Sequence, residues 1–168
     1  MNTIPHRLPL RALQLVHELG LQPHPEGGFY REVFRSALSV RPDDGRPARS
    51  ALTTIDFVLA RGQFSAWHQV RSDEAWHLLE GEGLRLWLMP PHLTTVNTID
   101  LRRSGPQPRL RHVVPAHWWQ AAEPLGEYAL AGATVGPGFD FADFAFGRDH
   151  AELRQALRRL APATHRLL

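Results

Sequence analysis

The sequence predicts an all-β fold, a small sandwich or barrel with a short helix at each end. Between Ser50 and Thr134, short apolar runs alternate with gaps that mostly carry glycine or proline. They recur about every eight to twelve residues, the rhythm of antiparallel strands and tight turns rather than of β-α-β units. Helical periodicity is confined to residues 10–19 and 149–160.

In chain order, Leu10, Leu13, Val16 and Leu19 form an apolar stripe ended by Gly20. His24-Pro25-Glu26-Gly27-Gly28 reads as a turn, because proline stiffens one side and the glycines permit positive φ. Residues 29–34 follow as a strand, and residues 41–49 as a loop with no core. Strands are then expected over 52–59, 65–70, 74–80, 84–89, 94–100, 111–114, 118–121 and 128–134. Leu84, Leu86 and Leu88 alternate with Arg85, Trp87 and Met89, as one buried strand face requires. Gly136-Pro137-Gly138 is a second turn. Asp149 as N-cap with Glu152 three residues on forms a capping box for a helix over 149–160, whose stripe is Leu153, Ala156, Leu157 and Leu160.

A chain of 168 residues suits a single domain, 1–168, with its core over about residues 22–146. Cysteine is absent, which excludes disulfide scaffolds, cysteine nucleophiles, thiolate zinc sites and iron–sulfur clusters. All 19 basic side chains are arginine, against 17 acidic ones. The net charge of +2 is small and scattered, so no nucleic-acid partner is expected. No apolar run reaches the roughly 18 residues of a membrane helix, and no secretory leader is visible at the N-terminus. No membrane partner is expected, and the expected compartment is the cytoplasm. No Gly-x-Ser-x-Gly elbow or phosphate loop is present.

Two stretches carry the chemistry. In the first, Gly62 is followed after five residues by His68, then by Glu74, and after six further residues by Gly81. This resembles the first cupin motif, with Val70 where a second histidine is usual. The second stretch, around Pro115, resembles the second cupin motif, with His117 at a glycine position and Gln120 at the metal-binding histidine position. The chain is similar more specifically to the cupin_5 family, formerly DUF985. The resembling segments are His24–Glu32, Trp67-His68 with Ser72–His77, Val113–Ala116 with Trp119–Ala121, and Gly138–Phe144. Ala145 departs from the family's usual glutamate.

The resemblance implies a double-stranded β-helix, or jelly-roll barrel, usually paired as a homodimer. It supplies no settled reaction. Strand alternation puts His68 with Val70, and Glu74 with Trp76 and Leu78, on common faces. Cupin topology would aim these faces inward, with Gln120 joining from another strand. His68, Glu74 and Gln120 then form either a polar, ligand-facing floor or a mutually satisfied buried trio. His77 has the opposite parity and is a candidate for the pocket only if a bulge turns it. Trp67, Trp76 and Trp118 are expected as aromatic walls, with Tyr30, Glu32 and Asp140 at the mouth. Asp140 or Asp143 could equally cap backbone amides. His6, His17, His92, His112, His150 and His165 carry no usable context.

As metal ligands, His68, Glu74 and Gln120 make a weak set for zinc, nickel, iron or manganese, so no cofactor is expected to be required. As an acid–base pair, His68 and Glu74 suit proton transfer next to a carbonyl. The expected function is therefore a pocket for a small polar or sugar-like metabolite, with non-redox isomerase or epimerase chemistry. The alternatives are a non-catalytic metabolite-binding protein and a weakly metal-dependent enzyme.

Overall fold

The computed structural model describes residues 8–168. The first seven residues of the expected domain, His6 among them, lie outside the described residues. The strands are β1 (Gln22–Pro23), β2 (Phe29–Arg35), β3 (Ser39–Val40), β4 (Arg49–Ser50), β5 (Thr53–Ala60), β6 (Ser65–Val70), β7 (Asp73–Gly81), β8 (Leu84–Met89), β9 (Asn97–Leu101), β10 (Arg111–Val114), β11 (Trp119–Pro124), β12 (Tyr128–Gly136) and β13 (Phe144–Phe146). Helix α1 spans Leu10–Glu18 and helix α2 spans Ala151–Leu160.

The expected all-β jelly-roll barrel is corrected by the sheet topology. The strands form three separate antiparallel sheets, ordered β1-β2-β5-β12-β7-β10, β13-β6-β11-β8-β9 and β3-β4. A barrel requires the last strand to pair back onto the first. Here β1 and β10 end one large sheet, β13 and β9 end the other, and neither sheet closes. With its two helices the chain is a mixed α/β fold.

The alternation along the strands explains the layering. Phe57, Leu59, Trp76, Leu78, Ala131 and Ala133 of the first sheet meet Leu84, Leu86, Leu88 and Ala122 of the second in one core. The opposite faces are covered by helices. Ala12 and Leu15 of α1 pack on Val58, Ala60 and Leu130. Leu153, Ala156 and Leu157 of α2 pack on Trp67, Met89 and Trp119. Leu153 and Leu157 are fully buried, each worth about 1.5–3 kcal/mol of removed apolar surface.

Three local expectations also change. On α1 the buried residues are Ala12 and Leu15, while Leu10 and Leu13 of the expected stripe are exposed, as is Leu160 of the α2 stripe. Asp149 does not cap α2, because it ends a 3-10 turn over Gly147–Asp149. The helix starts two residues later, with His150 at a cap position that makes no side-chain bond. The segment 41–49 is not free of the interior. Arg46 is buried, and its Nη1 donates to Asp143 Oδ2 at 2.9 Å, while Arg49 donates to both Asp143 oxygens at 2.9 and 3.0 Å. Asp143 therefore serves this ion cluster.

Candidate functional site

A cavity of about 530 Å³ is lined from both large sheets, with residues of β2, β5, β7 and β12 facing His68 and Val70 of β6. Its apolar walls are Tyr30, Ile55, Phe57, Trp76, Phe139 and Phe141. Its polar groups include His24, Glu26, Glu32, Arg35, His68, Glu74 and Asp140.

The 24–28 turn reaches the site because its glycines allow close approach. Gly27 has φ +114°, and a Cβ there would sit 2.1 Å from the carbonyl oxygen of Phe64. Ala66 N donates to Glu26 O at 2.9 Å and docks the turn on β6. Ser65 Oγ then donates to Glu26 Oε2 at 2.6 Å, and that oxygen lies 3.3 Å from His68 Nδ1. His68 Nδ1 also stands 2.7 Å from Ala66 O. A carbonyl only accepts, so Nδ1 carries the proton and the neutral ring's lone pair is on Nε2. Phe144 stacks on the ring with centroids 5.5 Å apart.

Glu74 is fixed from another direction. Trp76 Nε1 donates to Gln120 Oε1 at 2.9 Å, which orients the amide so that Gln120 Nε2 donates to Glu74 Oε2. Burial pushes the Glu74 carboxyl up to about 7, with nearby His68 only partly offsetting it. Burial likewise raises Glu26 and lowers His68 and His24 below their ordinary values. Neutral histidines thus face carboxyls that hold protons unusually well.

The candidates named from the sequence fall in different places. His68, Glu74, Trp76, Tyr30, Glu32 and Asp140 line the cavity. Gln120 is buried directly behind Glu74 and Trp76. Glu32 is tied to Arg35 at the mouth by two bonds of 2.9 and 2.8 Å, and Asp140 Oδ1 accepts from Ala142 N at 2.8 Å. Trp67 points the other way, since it alternates with His68 along β6. It is buried against α2, with Nε1 donating to Thr164 O at 3.1 Å. Trp118 packs on the main core and is not a lining residue. His77 is half-buried on the face of β7 opposite Glu74, across from Gly132 of β12, and does not line the cavity. Sequence reasoning assigned no role to His24 or Glu26. Their signal was polar residues held directly before a glycine pair.

The donor set does not fit a firmly held metal ion. Val70 offers no ligand, and the Gln120 carbonyl oxygen is already taken by Trp76. Among the described residues, no three histidine, aspartate or glutamate side chains are placed to hold an ion. In the same residues, no helix is long and apolar enough to cross a membrane.

Comparison with known proteins agrees with the two motif-bearing stretches. The family described as Cupin superfamily (DUF985) matches residues 13–147. The chain is similar to a hypothetical protein from Leishmania major, at 27% identity and TM-score 0.74, covering 93% of this chain and 95% of that one. It is similar to a protein from Shewanella oneidensis at 27% identity and TM-score 0.76, covering 92% of each chain. It shares a fold with a mutant of Bacillus subtilis oxalate decarboxylase at 16% identity and TM-score 0.55, covering 88% of this chain and 37% of that one. No curated protein matches the chain.

Proposed function

The chain belongs to the Cupin_5 family of the cupin superfamily, and from that premise we propose that it binds a small polar metabolite in the His68–Glu74 cavity and moves a proton on it by non-redox, isomerase-type chemistry. One observation carries this reading. A buried carboxyl held near 7 and a neutral histidine with its lone pair on Nε2 line the same aromatic-walled cavity. An acid–base group works best when its pKa lies near the working pH. Trp76, Phe57 and Tyr30 suit the apolar face of a ring, while the polar groups suit hydroxyl or carbonyl oxygens. His68 is the proton carrier. Glu74 is the second exchangeable acid, and Gln120 positions it.

A non-catalytic binding role is the second reading. The Trp76–Gln120–Glu74 chain favours it, because that chain satisfies its members without any ligand. The homodimer belongs to the same proposal, supported by exposed Val33, Phe34 and Leu38 on and after β2. A single-chain mass by sedimentation equilibrium at micromolar concentration would remove the dimer.

The test is mass spectrometry of metabolites that co-purify with the wild type and with His68→Ala, followed by incubation of each in heavy water. Deuterium entering a ligand with wild type only supports proton transfer. His68-dependent binding without exchange or product supports the binding role. Unchanged ligand binding by a destabilised His68→Ala makes the cluster structural and overturns both readings.

A further inference from the structure

His24 and His68 both line the cavity, and the backbone holds their rings in opposite states. His24 Nδ1 accepts from the backbone N–H of Glu26 at 3.1 Å. Its lone pair is used there, so the proton of the neutral ring is on Nε2. His68 is the reverse, with its proton on Nδ1 toward Ala66 O at 2.7 Å and its lone pair on Nε2. Neither Nε2 has a hydrogen-bond partner among the described residues. No buried side-chain nitrogen or oxygen among them is left without a partner, so both Nε2 atoms open to the cavity. The two side chains are only 7% and 2% exposed, and burial keeps both rings neutral at pH 7. His24 is further fixed edge-on against Tyr30 at 4.3 Å and Phe57 at 5.5 Å between centroids.

A fixed N–H donor and a fixed nitrogen base in one cavity match a ligand that accepts at one atom and releases a proton at the next. We propose that the site takes α-hydroxy aldehydes or ketones, with His24 Nε2–H bonding to the carbonyl oxygen and His68 Nε2 removing the proton from the neighbouring carbon. The inference rests on the proton-transfer reading above and adds to it a second residue and a substrate class. In the step, the C–H bond breaks and its proton goes to His68 Nε2. The electron pair forms the carbon–carbon double bond, and the carbonyl oxygen takes the negative charge, which the His24 N–H stabilises. Return of the proton from His68 to the former carbonyl carbon, with the neighbouring hydroxyl's proton passing to the former carbonyl oxygen, interchanges aldehyde and ketone with no oxidant or reductant.

The test uses the intact wild-type protein, whose imidazole nitrogens report their tautomers in long-range proton–nitrogen NMR spectra at neutral pH. The probe is benzohydroxamate, whose carbonyl accepts and whose N–OH donates, with its O-methyl ether as control and a chelator present. Protonated Nε2 in His24, unprotonated Nε2 in His68, and shifts of both on adding the probe are expected. Affinity should fall roughly tenfold in His24→Phe, in His68→Phe and for the ether, as loss of one hydrogen bond requires. The same tautomer in both rings, or undiminished affinity in folded His24→Phe, overturns the inference. If His24→Phe does not fold, the wild-type tautomers and shifts decide. Deuterium exchange that needs His68 but survives His24→Phe overturns this inference alone. Absence of exchange into any bound ligand by the wild type overturns the proton-transfer reading with it.

Discussion

Glu26 Oε2 lies 3.3 Å from His68 Nδ1, behind the imidazole, while Glu74 belongs to the Gln120 hydrogen bond. The two carboxyls therefore have different duties. Glu26, with the Ala66 carbonyl, holds the ring so that Nε2 meets the cavity, and Glu74 is free to exchange a proton there. The sequence pairs His68 with Glu74, whereas the structure puts Glu26 in contact with its Nδ1.

Stability is expected to depend on pH through Glu74. Its folded pKa of about 7 against an ordinary 4.5 means the folded chain holds this proton more tightly. The benefit is complete below the ordinary value and is lost as pH rises toward 7, by roughly 3 kcal/mol. Glu26, also raised, acts in the same sense. Lowered His24 and His68 act oppositely, costing stability as pH falls below 6.5. Urea unfolding at several pH values should show Glu74→Gln gaining on wild type between pH 5 and 8. A constant difference between the two proteins would remove the Glu74 contribution.

The 24–28 turn should be intolerant of a side chain at Gly27. Alanine there meets Phe64 O at 2.1 Å, on a backbone with φ +114°, and is expected to cost about 2–4 kcal/mol. Gly62 has φ +84° but nothing within 4 Å, so alanine there should cost only about 1–2 kcal/mol. Denaturant midpoints compare the two, and equal losses would contradict the close docking of the turn.

Asp143→Ala should leave Arg46 and Arg49 without their shared carboxylate. The side chains of Arg46 and Asp143 are only 5% and 2% exposed, and breaking such a pair costs about 3–5 kcal/mol. Asp100→Ala, which removes the partner of the more exposed Arg85, should cost under about 1 kcal/mol. Similar losses for both variants in chemical unfolding would count against a buried cluster.

Much of the fold was legible because local pattern decides it. The strand ends at Ser65, Val70, Leu84, Met89, Arg111 and Val114 fell where glycine or proline punctuation and alternation put them. That the sheets stay open was not legible, since it depends on which edges meet, and no single strand encodes that. His68 and Glu74 were legible from parity. The same parity sends Trp67 to the α2 side, and grouping the tryptophans as cavity walls ignored it. Glu26 and His24 were hidden because their direction is set by the Ala66–Glu26 backbone bond, a contact forty residues apart.

Metal content should follow the donor set. Wild-type protein purified without added metal is expected to carry well under one transition-metal ion per chain by elemental analysis. Val70→His with Gln120→His supplies two further nitrogen donors beside His68 and Glu74, and should raise retention toward one ion. One tightly held ion in the wild type that survives chelation would overturn the reading of Gln120 as a positioning residue.

The acid–base site stands most directly on the protonation state of Glu74, which difference infrared spectroscopy reads from the carboxylic C=O stretch. A buried carboxylic band that titrates with a midpoint near 7, is absent from Glu74→Gln and shifts in Gln120→Ala is the expected result. A Glu74 carboxyl fully ionised by pH 5 would contradict it, leaving a permanent carboxylate where a proton-exchanging acid is required.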